Sequence, residues 1–155
     1  VIAIERILVP IDFSPASLKA LDEAVEFGRP YGAEIIVLCV LDRDFHTPVV
    51  LVPDPRAFLQ AQTREAQARL AQIATRLCQE NVKHKTLVEF GTPYKVIVDS
   101  ARRLKVNLIV MSTHGRTGLA HVLIGSVAER VVQHASCPIL LLRASPSAKT
   151  RQHSV

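Results

Sequence analysis

The sequence predicts an α/β domain, a doubly wound parallel sheet of five strands with helices on both faces. Three observations carry that reading. Five short apolar runs, at residues 7–9, 34–41, 85–90, 107–111 and 138–142, are separated by longer segments of helical periodicity. Two of those segments open on a hydroxyl residue followed by proline, the pairing of an N-cap with a proline at the first helical position. Strand and helix alternate along the whole chain, which with right-handed crossovers winds helices onto both faces of one sheet.

The first run, Ile7, Leu8 and Val9, reaches Pro10 and reads as a strand buried on both faces, ending at the proline. Ser14 and Pro15 then cap a helix in which Leu18, Leu21 and Val25 recur at helical spacing, weakened at Gly28 and Pro30 and stopped by Gly32. Residues 34–41 (EIIVLCVL) form the second strand, parallel to the first because a helix intervenes. Residues 42–55 hold three prolines and no period, and predict a long irregular connection. A helix over about 56–80 places Leu70, Ile73, Ala74 and Leu77 on one stripe and its arginines and glutamines on a wet face.

Residues 85–90 are more polar and suit an edge strand. Thr92 and Pro93 start the next helix, with Val96, Ile97, Ser100, Ala101 and Leu104 on its inner face. The fourth strand is 107–111 (NLIVM), a helix runs from about Gly125 to His134, and 138–142 (PILLL) is the fifth strand. Ligands of such sheets sit beyond the carboxyl ends of the strands, where the strand order reverses. Those ends are 10–13, 40–42 and 111–118.

At 155 residues with 48% hydrophobic and 21% charged residues, the chain is expected to form a single domain, 1–143, followed by a polar flexible tail, 144–155. No apolar run approaches the roughly 20 residues that span a bilayer, so the chain reads as cytoplasmic, without a membrane partner. The formal charge of +5 comes from scattered basic residues with no Trp to stack on bases, which argues against nucleic acid as the main partner. Cys39, Cys78 and Cys137 are widely spaced and odd in number, the pattern of reduced, mostly buried thiols rather than of a metal or disulfide framework. The histidines likewise lack metal-site spacing.

The chemistry concentrates after the fourth strand. Ser112, Thr113, His114, Gly115, Arg116, Thr117 and Gly118 are followed, six residues on, by Gly125 and Ser126 at a helix start. Glycines let a backbone approach an anion, and free N–H groups at a helix start point toward it. Thr113, Ser126, Arg116 and His114 add donors. The same letters also serve a Gly-rich turn before an ordinary helix, and spacing alone leaves both readings open.

Nearly the whole chain, 5–143, resembles the universal stress proteins, on ILVPIDFS (7–14), VMSTHGRTGL (110–119), IGSVAERVV (124–132) and CPILLLR (137–143). The ATP-binding members carry G-x-x-G-x9-G-(S/T), matched here by Gly115, Gly125 and Ser126 with Ser112 at the first glycine. That serine is strain-free if its φ is negative and costs of order 1 kcal/mol if its φ is positive. The resemblance implies the strand order 3-2-1-4-5 and a site for ATP, or for ADP or AMP, with Mg²⁺ on the phosphates. It sets adenine near Pro10, Ile11 and the backbone of Val40, and Asp12 by the ribose or the metal. Met111, Ser112, Thr113, His114 and Gly115 then line the ribose and first phosphates, and Gly125, Ser126 and Val127 the distal ones. Asp12 also fits a plain helix-start charge, His114 a turn residue, and Arg116 a solvated linker position.

The expected function is nucleotide binding with little or slow hydrolysis, since no Walker lysine motif or catalytic set is evident. A slow ATPase and a nucleotide-free dimeric interaction protein are the alternatives. A receiver domain is excluded by Gly91 and Arg143, which stand where an aspartate and a lysine are required, and a flavodoxin by the absence of a phosphate loop at 10–15. The fifth strand, from Pro138 to Leu142, is uncharged and lies at a sheet edge in that order, which predicts a homodimer paired through it.

Overall fold

The computed structural model describes residues 3–42, 54–113 and 124–143. Five strands, β1 (Arg6–Ile11), β2 (Glu34–Leu41), β3 (His84–Phe90), β4 (Leu108–Ser112) and β5 (Ile139–Leu142), alternate with helices α1 (Pro15–Gly28), α2 (Pro55–Gln79), α3 (Pro93–Arg103) and α4 (Ser126–His134). All pairings are parallel, in the order β3-β2-β1-β4-β5. The fold class and strand order are those predicted, with β3 and β5 at the edges.

Alternation along each strand sends side chains to two cores. Ile7, Val9, Ile11, Ile35 and Val37 pack with Leu21, Val25, Ala66, Leu70 and Leu77 of α1 and α2. Leu8, Ile36, Leu38, Ile109 and Met111 pack with Ile97, Ala101, Ala128 and Val131 of α3 and α4. The central strands are therefore apolar on both sides, which is why they read as continuous runs.

The helix starts follow their caps. Ser14 Oγ accepts from the Ser17 amide ahead of Pro15, and Asp54 accepts from the amides of Arg56 and Ala57 ahead of Pro55. After α1 a single 3-10 turn, Arg29–Tyr31, closes on Gly32 at φ 61°, a left-handed position that glycine takes without a Cβ penalty.

Four details correct the sequence reading. β1 does not end at Pro10 but runs to Ile11. Arg6 turns its carbonyl toward β4, accepting the Asn107 amide, while Glu5 turns its own toward β2. Alternation then points the Pro10 nitrogen at β4, where β1–β4 pairing has already stopped at Leu8 and Ile109, so the missing N–H breaks no rung. β4 begins one residue late because the Asn107 side chain instead accepts from the Glu5 and Arg6 amides. It also extends through Ser112, which belongs to the strand and not to the following loop. Of the three free thiols, Cys39 is buried, Cys137 intermediate and Cys78 exposed on α2, so "mostly buried" does not describe them.

Candidate functional site

Because β1 connects to β2 on one side and β4 lies on the other, the strand order reverses between β1 and β4. Two parallel strands whose crossovers leave in opposite directions open a crevice at their carboxyl ends. Pro10 reinforces that parting, since it offers no donor to β4. A cavity of about 490 Å³ occupies the position, within the usual size range of small-molecule sites.

Its floor is built by strand ends: Pro10, Ile11 and Asp12 from β1 and its exit, Leu38, Val40 and Leu41 from β2, and Met111, Ser112 and Thr113 from β4 and its exit. Gly125, Ser126, Val127 and Ala128 contribute the start of α4, and Pro93 and Ile97 the start of α3. Gln62, Glu65, Ala66 and Arg69 form a wall from α2. The lining mixes aliphatic side chains with the polar groups of Asp12, Ser112 and Thr113, and a helix start borders it.

Among the described residues no side chain caps that helix start. The N-cap of α4 is Gly125, with φ −70° and ψ 155° and no side-chain cap bond. The first amides of a helix have no acceptor inside it, and the helix dipole adds partial positive charge there. The Gly125 amide itself is engaged, donating to the Thr113 carbonyl at 2.6 Å, and the Thr113 amide donates to the Leu142 carbonyl at 2.9 Å. The open donors at this end are therefore those of the first turn of α4, beginning at Ser126.

Asp12 sits in a tight turn between β1 and α1. Its Oδ1 accepts the Ser14 amide at 3.0 Å, and its own amide donates to Ser17 Oγ at 3.3 Å. Phe13 between them has φ 63°. Ser112 is 9% exposed and is not among the positive-φ residues, so a serine at this place carries no backbone strain.

Ten of the residues singled out from sequence, Pro10, Ile11, Asp12, Val40, Met111, Ser112, Thr113, Gly125, Ser126 and Val127, line this one cavity. His114, Gly115 and Arg116 lie outside the described residues. The α2 wall and the α3 start went unrecognised. Polarity alone places Gln62 and Arg69 on a wet face, but both are half-buried and line the cavity. Proline and isoleucine at the start of α3 carried no signal beyond helix capping and core. Among the described residues no group of three or more His, Cys, Asp or Glu is placed to hold a metal ion, and no helix is long and apolar enough to cross a membrane.

Fold and crevice together define a doubly wound α/β protein with its cavity at the topological switch point. The chain belongs to the universal stress protein family, which it matches over residues 3–143. It is 34% identical over 142 residues to universal stress protein MJ0531 of Methanocaldococcus jannaschii, covering 90% of this chain and 82% of that protein. The solved structure of MJ0577 from the same organism superimposes with a TM-score of 0.84 at 30% identity, covering 94% of this chain and 99% of the other. An Arabidopsis thaliana family protein solved with AMP bound has a TM-score of 0.67 at 19% identity, covering 93% of this chain and 97% of that one, a likeness of fold.

Proposed function

We propose that this stress-response family protein binds an adenine nucleotide, ATP with Mg²⁺ or else ADP or AMP, in the cavity at the ends of β1, β2 and β4, and that binding rather than chemistry is its function. The observation that carries the reading is the uncapped start of α4 opening into a largely aliphatic cavity. An anion belongs at such a terminus and a flat apolar ring beside the aliphatic floor. On the pattern that the family resemblance implies, adenine lies against Pro10, Ile11 and the Val40 backbone, the ribose beside Asp12 and Met111, and the phosphates toward Ser126 and Val127. All of these residues line the cavity. The AMP held by the Arabidopsis protein supports a nucleotide on this scaffold.

Mg²⁺ would be held chiefly by the phosphates and water, its common mode in nucleotide sites, with Asp12 among the lining carboxylates available to it. Hydrolysis needs an oriented water and charge stabilisation on the transferred phosphoryl. The described walls supply Asp12, Asp42, Glu65 and Arg69 as charged groups, of which Glu65 and Arg69 face each other at 3.8 Å. We infer slow turnover, below about 1 s⁻¹, the low end of common enzyme rates.

The reading extends to a homodimer through β5. All four β5 residues are partly exposed. Pro138 and Leu142 turn their carbonyls to β4, accepting from Ile109 and Thr113, so alternation points the backbone of Ile139 and Leu141 outward. An apolar edge with open donors and acceptors pairs with its own copy about a two-fold axis.

Denaturing freshly purified protein and identifying what it releases by chromatography and mass tests the ligand directly. An adenine nucleotide, present from expression or taken up on incubation with Mg·ATP, is expected; none under either condition overturns the reading.

A further inference from the structure

Phe13 occupies a conformation that a bulky aromatic residue rarely takes. Its φ of 63° lies in the left-handed region, where a side chain persists only if its surroundings hold it. Two contacts do so here. The ring packs against the buried cluster on the α1 and α2 face, and the Arg69 guanidinium lies over it, with Cζ 4.3 Å from the centroid, within cation–π range.

The two neighbours of Phe13 carry the turn. The Ser14 amide donates to Asp12 Oδ1, the Asp12 amide to Ser17 Oγ, and the Ser17 amide to Ser14 Oγ. A rotation at Phe13 would break this set and move the Asp12 carboxylate, which lines the cavity. Arg69 reaches the turn from α2, which is fixed on this side by the buried Ala66 and Leu70 flanking it.

We propose that Arg69 is a positioning residue for the nucleotide site: acting through the Phe13 ring, it clamps the β1–α1 turn in its left-handed form and so sets Asp12 against the ligand. The inference rests on the nucleotide reading above. It differs from a direct contact in one consequence. Glycine adopts a positive φ without a steric penalty, so a turn with glycine at 13 has no need of the clamp.

The test compares the unmodified protein, Arg69→Ala, Phe13→Gly and the double variant, by amide hydrogen exchange at Ser14 and Ser17 without ligand and by Mg·ATP titration. Arg69→Ala is expected to speed exchange at both amides and weaken binding roughly two- to fivefold, the scale of a cation–π contact. In the Phe13→Gly background the same change should alter neither. An equal loss of affinity in both backgrounds would mean that the guanidinium touches the ligand itself, and no change in either would mean that the clamp is idle; both overturn the proposal. If the unmodified protein takes up no nucleotide, the nucleotide reading fails, and the exchange of Ser14 and Ser17 still decides whether the clamp exists.

Discussion

The amide of Gly125 donates to the carbonyl of Thr113 at 2.6 Å, so the two ends of the segment between β4 and α4 are tied together at the mouth of the cavity. The bond holds the open start of α4 against the carboxyl end of β4. Gly125 has an ordinary extended conformation, φ −70° and ψ 155°, which any residue adopts. Backbone freedom therefore does not require a glycine here.

Gly125→Val puts a disfavoured residue at the N-cap of α4 and is expected to cost about 1 kcal/mol of stability without unfolding the chain, while its side chain fills the approach to the α4 amides. We expect Mg·ATP affinity to fall at least about tenfold, the scale of 1.4 kcal/mol. Thermal melting and titration calorimetry on the same sample check both halves. Unchanged affinity would remove the phosphates from this helix terminus.

Ser112→Gly restores the first glycine of the family motif. Ser112 sits in β4 opposite Leu142 and has no positive φ, so glycine relieves nothing and loosens the strand by about 0.5–1 kcal/mol. Binding is expected to hold within about twofold. A marked loss in calorimetry would instead identify the Ser112 hydroxyl as a ligand contact.

Leu141→Pro tests the edge. The Leu141 backbone faces away from β4, so proline deletes a donor from the open side while leaving the β4–β5 bonds in place. Light scattering at tens of micromolar is expected to give a dimer for the unmodified chain and a larger monomer fraction for the variant. A monomer in the unmodified chain contradicts the β5 interface.

Burial pushes the Cys137 thiol above its ordinary 9.0, against a smaller opposing backbone hydrogen bond. Cys78 is exposed, and the thiolate is the reacting form. Iodoacetamide at pH 8 should therefore label Cys78 well before Cys137, as peptide mass mapping will show. A raised folded pKa also means that the stability this thiol contributes is intact below 9.0 and is lost as pH rises through the raised value. Equal labelling rates would show that Cys137 is not desolvated.

The strands were legible because β1, β2 and β4 are buried on both faces, and an unbroken apolar run too short for a helix fits a strand set between two cores. Helix starts were legible through Ser14, Pro15 and Pro93, whose signals are local, although Thr92 takes the N-cap position of α3 without a side-chain cap bond. Pro10 misled, since whether proline ends a strand depends on which neighbour its nitrogen faces, and that is a property of the sheet. The strand-borne part of the site followed from the switch-point rule and the glycine motif. The α2 wall did not, because Gln62 and Arg69 are polar residues on an amphipathic helix, and only the packed structure distinguishes a face turned to a cavity from one turned to solvent.

The central claim is tested most directly by titrating nucleotide-stripped protein with Mg·ATP and, in parallel, with Mg·GTP in a calorimeter. We predict one saturable site per chain for the adenine nucleotide, with GTP at least about tenfold weaker. Absence of saturable heat with ATP, ADP and AMP alike would contradict the account.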